Sequence, residues 1–80
     1  MIKRVDSAKV MKQYRRMQYA IADMRDQEGI TIKGLLEQSG IGEGAWKGAA
    51  YGVGGTNIIN VMEVLAAFGY RLQIVEEESE

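Results

Sequence analysis

Apolar residues recur along the first third of the chain at the spacing of one helical face. Val10, Tyr14, Met17, Ile21 and Met24 follow one another at intervals of four, three, four and three, which predicts an amphipathic helix over residues 7–28. Ser7 is the expected N-cap, residues 1–6 a frayed start, and Gly29 the C-terminal stop. The opposite face carries Lys9, Lys12, Arg15, Arg16 and Arg25. Thr31 then offers a hydroxyl cap to a short helix from Ile32 to Ser39, with Leu35 and Leu36 turned inward. Gly40 supplies a turn and Ile41 its apolar plug. A third helix is expected from Glu43 to Tyr51, around Trp46, Ala45, Ala49 and Ala50. Its Gly44 and Gly48 each weaken it by about 1 kcal/mol relative to alanine, so packing has to hold it. After a Gly52–Gly55 loop, Asn57 caps a last helix over 57–68, with Ile58, Val61, Met62, Leu65 and Phe68 at helical spacing and Gly69 at its end.

Beyond Gly69 the period drops to two. Tyr70, Leu72 and Ile74 alternate with Arg71 and Gln73, which predicts a strand over 70–75. The chain contains no second strand-like run, so this one needs a partner from elsewhere. Pairing with its twin across a two-fold axis would satisfy its backbone and bury Tyr70, Leu72 and Ile74, with the first helix adding to the interface. Residues 76–80 form an acidic tail. The expected fold class is mainly α: a single domain of four to five helices with one C-terminal β-strand.

Composition narrows the chemistry. Among 80 residues there is no cysteine, histidine or proline. Disulfides, thiolate metal sites and the usual general base are thereby excluded, and neither metal nor cofactor is expected. No apolar run approaches the ~20 residues of a membrane span, and no apolar run follows Lys3 and Arg4 as in a signal peptide. A soluble, cytoplasmic chain without catalytic activity is expected. The formal charge of −1 is polarised: residues 1–33 hold eight cations and four acids, residues 34–80 two cations and seven acids. Such polarity orients a protein near a polyanion.

Gly40-Ile-Gly-Glu-Gly and Gly52-Val-Gly-Gly follow no strand and precede no Lys-Ser/Thr, so they read as turns rather than phosphate loops. Asp23, Asp26 and Glu28 read as a solvated face, Trp46 as core, and Tyr14 and Tyr19 as packing or dimer surface.

Thr31 to Lys47 describes two short helices crossing at a tight turn, a ridge of the width of a DNA major groove. In register with it, Ile21-Ala-Asp-Met-Arg-Asp-Gln-Glu-Gly-Ile-Thr resembles the opening helix of the phage-repressor-like (Cro/C1, XRE) helix-turn-helix family. Leu35, Gly40, Ile41 and Gly52 fall where that family keeps its packing and turn residues, and Asn57–Gly69 is similar to its later helix. The match covers about residues 20–75 without a gap. The resemblance implies a lambda-repressor-like bundle that binds double-stranded DNA as a repressor-like homodimer on a two-fold-related operator. Carried over by position, the DNA-facing residues would be Ile32, Lys33, Glu43, Gly44, Lys47, Gly48 and Tyr51, with Asn57 at a phosphate. The C-terminal strand resembles that of HipB-type antitoxins.

Three positions depart from the family pattern: Leu36 stands for alanine, Trp46 for an aliphatic residue and Ala49 for a larger one, an exchange of volume across the helix crossing. The third helix is also poor in the Gln, Arg, Asn and Ser that read bases. Two readings stay open. Either glycines let the helix backbone approach the groove while basic residues of the long first helix hold phosphates, or the unit serves a protein partner, as in an antitoxin-like or phage adaptor module.

Overall fold

A computed structural model describes residues 1–77; the last part of the expected acidic tail, 78–80, lies outside the described residues. The chain is mainly helical, in the order α1 (Ser7–Glu28), α2 (Ile32–Ser39), α3 (Glu43–Tyr51) and α4 (Ile58–Ala67). No helix is long and apolar enough to cross a membrane.

Caps place the helix ends. At α1 the cap is Asp6 rather than the expected Ser7: its carboxylate accepts from the amides of Ala8 and Lys9 at 3.1 and 3.3 Å. A carboxylate also complements the positive end of the helix dipole, which a serine does not. Thr31 caps α2 through the Gly34 amide at 3.0 Å. The turn into α3 is held by Ser39, whose hydroxyl donates to the Leu35 carbonyl at 2.6 Å and accepts from the Ile41 amide at 3.3 Å. Gly40 closes α2 in the left-handed region, φ 76°, where a Cβ would be strained.

α3 lies at the centre, packed between α1 and α4. Its small residues allow this: Gly48, Ala49 and Ala50 are all buried, and Trp46 fills the space they leave. Ile21 from α1, Leu35 from α2, and Val61, Val64 and Leu65 from α4 complete the buried core. Met17, Met24, Ile30, Ile32, Leu36, Ile41 and Phe68 pack partly against it. On α4 the inward stripe is therefore Val61, Val64 and Leu65, whereas Ile58 and Met62 remain 66% and 50% exposed. The expected stripe was rotated because Val64, absent from it, takes the innermost position.

Two further expectations are corrected. Arg25 is not part of an exposed basic face: it is half-buried, its guanidinium donates to the Ile30 carbonyl at 3.1 Å, and its carbon lies 5.8 Å from the Trp46 ring centroid. Nor is a strand formed over 70–75. No strand is present among the described residues, so nothing completes a ladder with this segment.

The helical body is compact, but α1 outruns it. Its 22 residues span about 33 Å, and all of residues 1–13 are exposed. The longest axis reaches 45 Å, and the radius of gyration is 14.1 Å against about 11.6 Å for a compact domain of this length.

Candidate nucleic-acid interface

The residues expected at a nucleic-acid surface divide into three groups. Glu43, Lys47 and Tyr51 share the exposed face of α3 at intervals of four, and the exposed Gly44 borders it, three residues before Lys47. Lys33 is also exposed, near the start of α2. Ile32 is different: it packs partly against the core. Gly48 faces inward, buried under the loop that follows α3. A Cβ there would stand 3.0 Å from the Gly55 carbonyl oxygen, so Gly48 is a packing residue and leaves the candidate surface.

Asn57 lies at the start of α4, but its side chain is already engaged. Its Oδ1 accepts from the Ile59 amide at 2.7 Å, which occupies one of the free amides that an incoming phosphate would use.

The cations of the α2–α3 unit are held by acids on the same helices. Lys47 Nζ lies 3.0 Å from Glu43 Oε1, and Lys33 Nζ lies 4.0 Å from Glu37 Oε1. Such exposed pairs are worth about 0.3–0.5 kcal/mol, so either lysine is released at little cost to a stronger anion. Lys12, Arg15 and Arg16 on α1 pair with no acid among the described residues.

One cluster, made by packing rather than by any local sequence pattern, joins these cations to α3. Arg15, Gln18, Tyr19 and Ala22 from α1 face Ala50 and Tyr51 from α3 across an open cleft of about 340 Å³. Lys12, Arg15, Tyr19 and Ala22 recur at three, four and three, and that stripe was readable. Its meeting with Tyr51 was not, because 36 positions separate Arg15 from Tyr51.

Behind the cleft a chain of hydrogen bonds locks α1 to the end of α3. The Thr56 hydroxyl donates to the Gly48 carbonyl at 2.9 Å. With that proton committed, Thr56 accepts from the Tyr14 hydroxyl. Tyr14 in turn accepts from the Gln18 amide at 3.0 Å. Gly52 sits under this chain: φ is 72°, and a Cβ would stand 2.8 Å from Gln18 Nε2. Each net bond of this kind is worth about 1 kcal/mol, and an orphaned partner adds its own cost. Tyr14→Phe is therefore expected to lower stability by about 1–2 kcal/mol in urea denaturation. It also loosens the α1–α3 cleft, seen as altered fluorescence of Trp46.

At the far end of α1, Lys9 Nζ and Glu77 Oε1 lie 3.0 Å apart. The hydrogen bond from Lys9 and its charge hold the Glu77 carboxyl below its ordinary value, with Lys3 contributing more weakly. Among the described residues no group of acids is arranged to hold a metal ion.

No family model, curated protein or solved structure matches the chain.

Proposed function

We propose that the chain is a DNA-binding regulator of the lambda-repressor-like helix-turn-helix type, repressor-like in action, acting on a two-fold-related duplex site. The observation that carries this reading is the continuity of one surface. The exposed face of α3 (Glu43, Gly44, Lys47 and Tyr51) runs across the cleft to Arg15 on α1, beside cations that no acid among the described residues pairs with. Gly44 keeps the groove-facing side of α3 free of bulk. Lys47, released from Glu43, reaches a phosphate or guanine, and Arg15 and Lys12 hold the flanking backbone. Affinity in this arrangement comes mainly from phosphates, and specificity comes from close approach and from Lys47, Glu43 and Tyr51.

The test is duplex selection from a random pool, followed by salt titration of the enriched site. Lys47→Ala combined with Arg15→Ala is expected to weaken binding at least about tenfold and to flatten the log–log salt slope by about two. Both residues are exposed or lie at the cleft edge, so the fold survives. Unchanged affinity in this double variant places the binding surface elsewhere.

A second reading has its own support. Lys33 and Lys47 are each paired within their own helix, and α4 exposes Ile58, Ile59 and Met62. On this reading the unit is a protein-interaction module, antitoxin-like or an adaptor. No enriched duplex at low salt, together with a stoichiometric protein partner lost on Ile59→Asp, selects it over the first.

A further inference from the structure

Two of the chain's four tyrosines lie open on one cleft. Tyr19 on α1 is 75% exposed and Tyr51 at the end of α3 is 52% exposed, with the small residues Ala22 and Ala50 beside them. Tyr14 is half-buried in the hydrogen-bonded chain behind the cleft, and Tyr19 takes no part in that chain. The alanines leave the space beside the two rings unfilled. Its volume of about 340 Å³ lies at the lower end of the range for small-ligand sites. That is room for a flat ring system but not for a helix about 10 Å across.

Charge gives the cleft a direction. Lys12, Arg15 and Arg16 stand towards the start of α1 and pair with no acid among the described residues. Asp23 and Asp26 follow Tyr19 and Ala22 by four residues each, towards the other end of the same face. Over about 20 Å of helix the sign therefore passes from cationic to anionic, and no acid lines the cleft itself. A polyanion is drawn to Tyr19 from the Lys12 side and turned away beyond Ala22. Gln18, in the cleft wall, is held by its bond to the Tyr14 hydroxyl at 3.0 Å. Exposed rings beside unpaired cations suit a stacked nucleobase whose phosphates are held alongside. A duplex cannot use the rings in this way, because its bases are already stacked on one another.

We propose that this cleft is a binding site for single-stranded nucleic acid. One unstacked base lies against Tyr19 and Tyr51 over Ala22 and Ala50, and Lys12, Arg15 and Arg16 hold the phosphates on one side of it. The planar guanidinium of Arg15, at the cleft edge, grips a phosphate through two parallel N–H donors. Every base has a face to stack, so the site tolerates sequence. This activity goes beyond the duplex reading: it depends on Tyr19, which that reading does not use, and it makes no use of Lys47.

The test is titration of the full chain, without duplex, against oligodeoxythymidylate and oligouridylate at low salt. Anisotropy of labelled strands gives the affinity, and unlabelled strands are followed by the emission of Trp46, the chain's one tryptophan. Tyr51 lies edge-on to Trp46 at 6.0 Å, so a base seated on Tyr51 alters that emission. A strand of the same length without bases carries the same phosphates. It is expected to bind at least about tenfold more weakly and to leave the emission unchanged. Tyr19→Leu weakens binding of the base-bearing strand about tenfold without changing the salt slope, since no phosphate contact is lost. Tyr19→Phe, which keeps the ring, recovers most of that loss, whereas Arg15→Ala lowers the slope by about 0.7. Circular dichroism checks that helix content is kept, as the exposure of Tyr19 and Arg15 leads one to expect. Base-dependent binding of either strand supports the proposal, and the tighter of the two tells a DNA source from an RNA one. Equal affinity for strands with and without bases overturns it, and so does a Tyr19→Leu variant that binds like the parent. Absence of binding to both base-bearing strands at low salt overturns it as well, whatever duplex selection finds.

Discussion

Trp46→Ala is expected to destabilise the protein by about 3–5 kcal/mol, the range for removing a fully buried large aromatic. Trp46 is 0% exposed and sits among residues of α1, of α3 and of the end of α4. Its ring lies 6.3 Å from Phe68 and edge-on to Tyr51 at 6.0 Å, with the Arg25 guanidinium carbon 5.8 Å away. Eight buried apolar side chains form the core among the described residues, three of them on α3 itself. Domains of this length have about 4–12 kcal/mol in total, so the loss removes a large part of the margin. Urea unfolding followed by far-ultraviolet circular dichroism measures it.

Trp46→Phe should cost much less. The indole N–H has no acceptor among the described residues, so removing it deletes an unsatisfied donor along with some packing. A loss below about 1 kcal/mol for the alanine variant would mean that α3 is not the centre of the core.

The second large effect is expected from Gly48→Val, set against Gly44→Ala on the same helix. At Gly48 the nearest atoms to a new Cβ are the carbonyl oxygens of Gly55, 3.0 Å away, and Val53, 3.7 Å away. Both belong to backbone, which cannot swing aside like a side-chain end, and the Gly48 carbonyl also holds the Thr56 hydroxyl. Overpacking here should cost at least about 1–3 kcal/mol and displace the 53–56 loop. At Gly44 nothing lies within 4 Å of a new Cβ, so alanine is expected to gain about 1 kcal/mol from helix propensity alone. Thermal unfolding of the two variants should move in opposite directions; a parallel shift would place Gly48 in open space after all.

These glycines also show where sequence reading stops. Both interrupt the same helix with the same local penalty, and position alone assigns both to a groove-facing surface. Only Gly44 keeps that place. Gly48 lies under a loop whose position depends on Thr56 and on Tyr14, 42 residues before Thr56 in the chain. No local pattern carries that contact.

Arg25 and Arg15 diverge in the same way. Residue type grouped them as one basic face, but Arg25 is drawn onto Trp46 and the Ile30 carbonyl, while Arg15 edges the cleft with Tyr51. On α4 the helical period was legible, but which of its apolar residues faced inward was not. Ile58 and Val64 are both apolar and compatible with a helix. What separates them is the fit of α4 against α3.

Short-range chemistry was sufficient for the helices themselves. Caps at Thr31 and Asn57, left-handed glycines at 29, 40 and 52, and recurrence at three and four each act within a few residues, so the four helices and the turn after Ser39 could be placed from the chain alone. The strand over 70–75 failed for the complementary reason. Its alternation states a preference, but a strand exists only with a hydrogen-bonded neighbour, and none is present among the described residues of the single chain. Burial, the partners of each cation and the cleft between α1 and α3 depend on which faces meet when the helices pack. That outcome is a sum of contacts between distant residues, decided in three dimensions rather than within any segment.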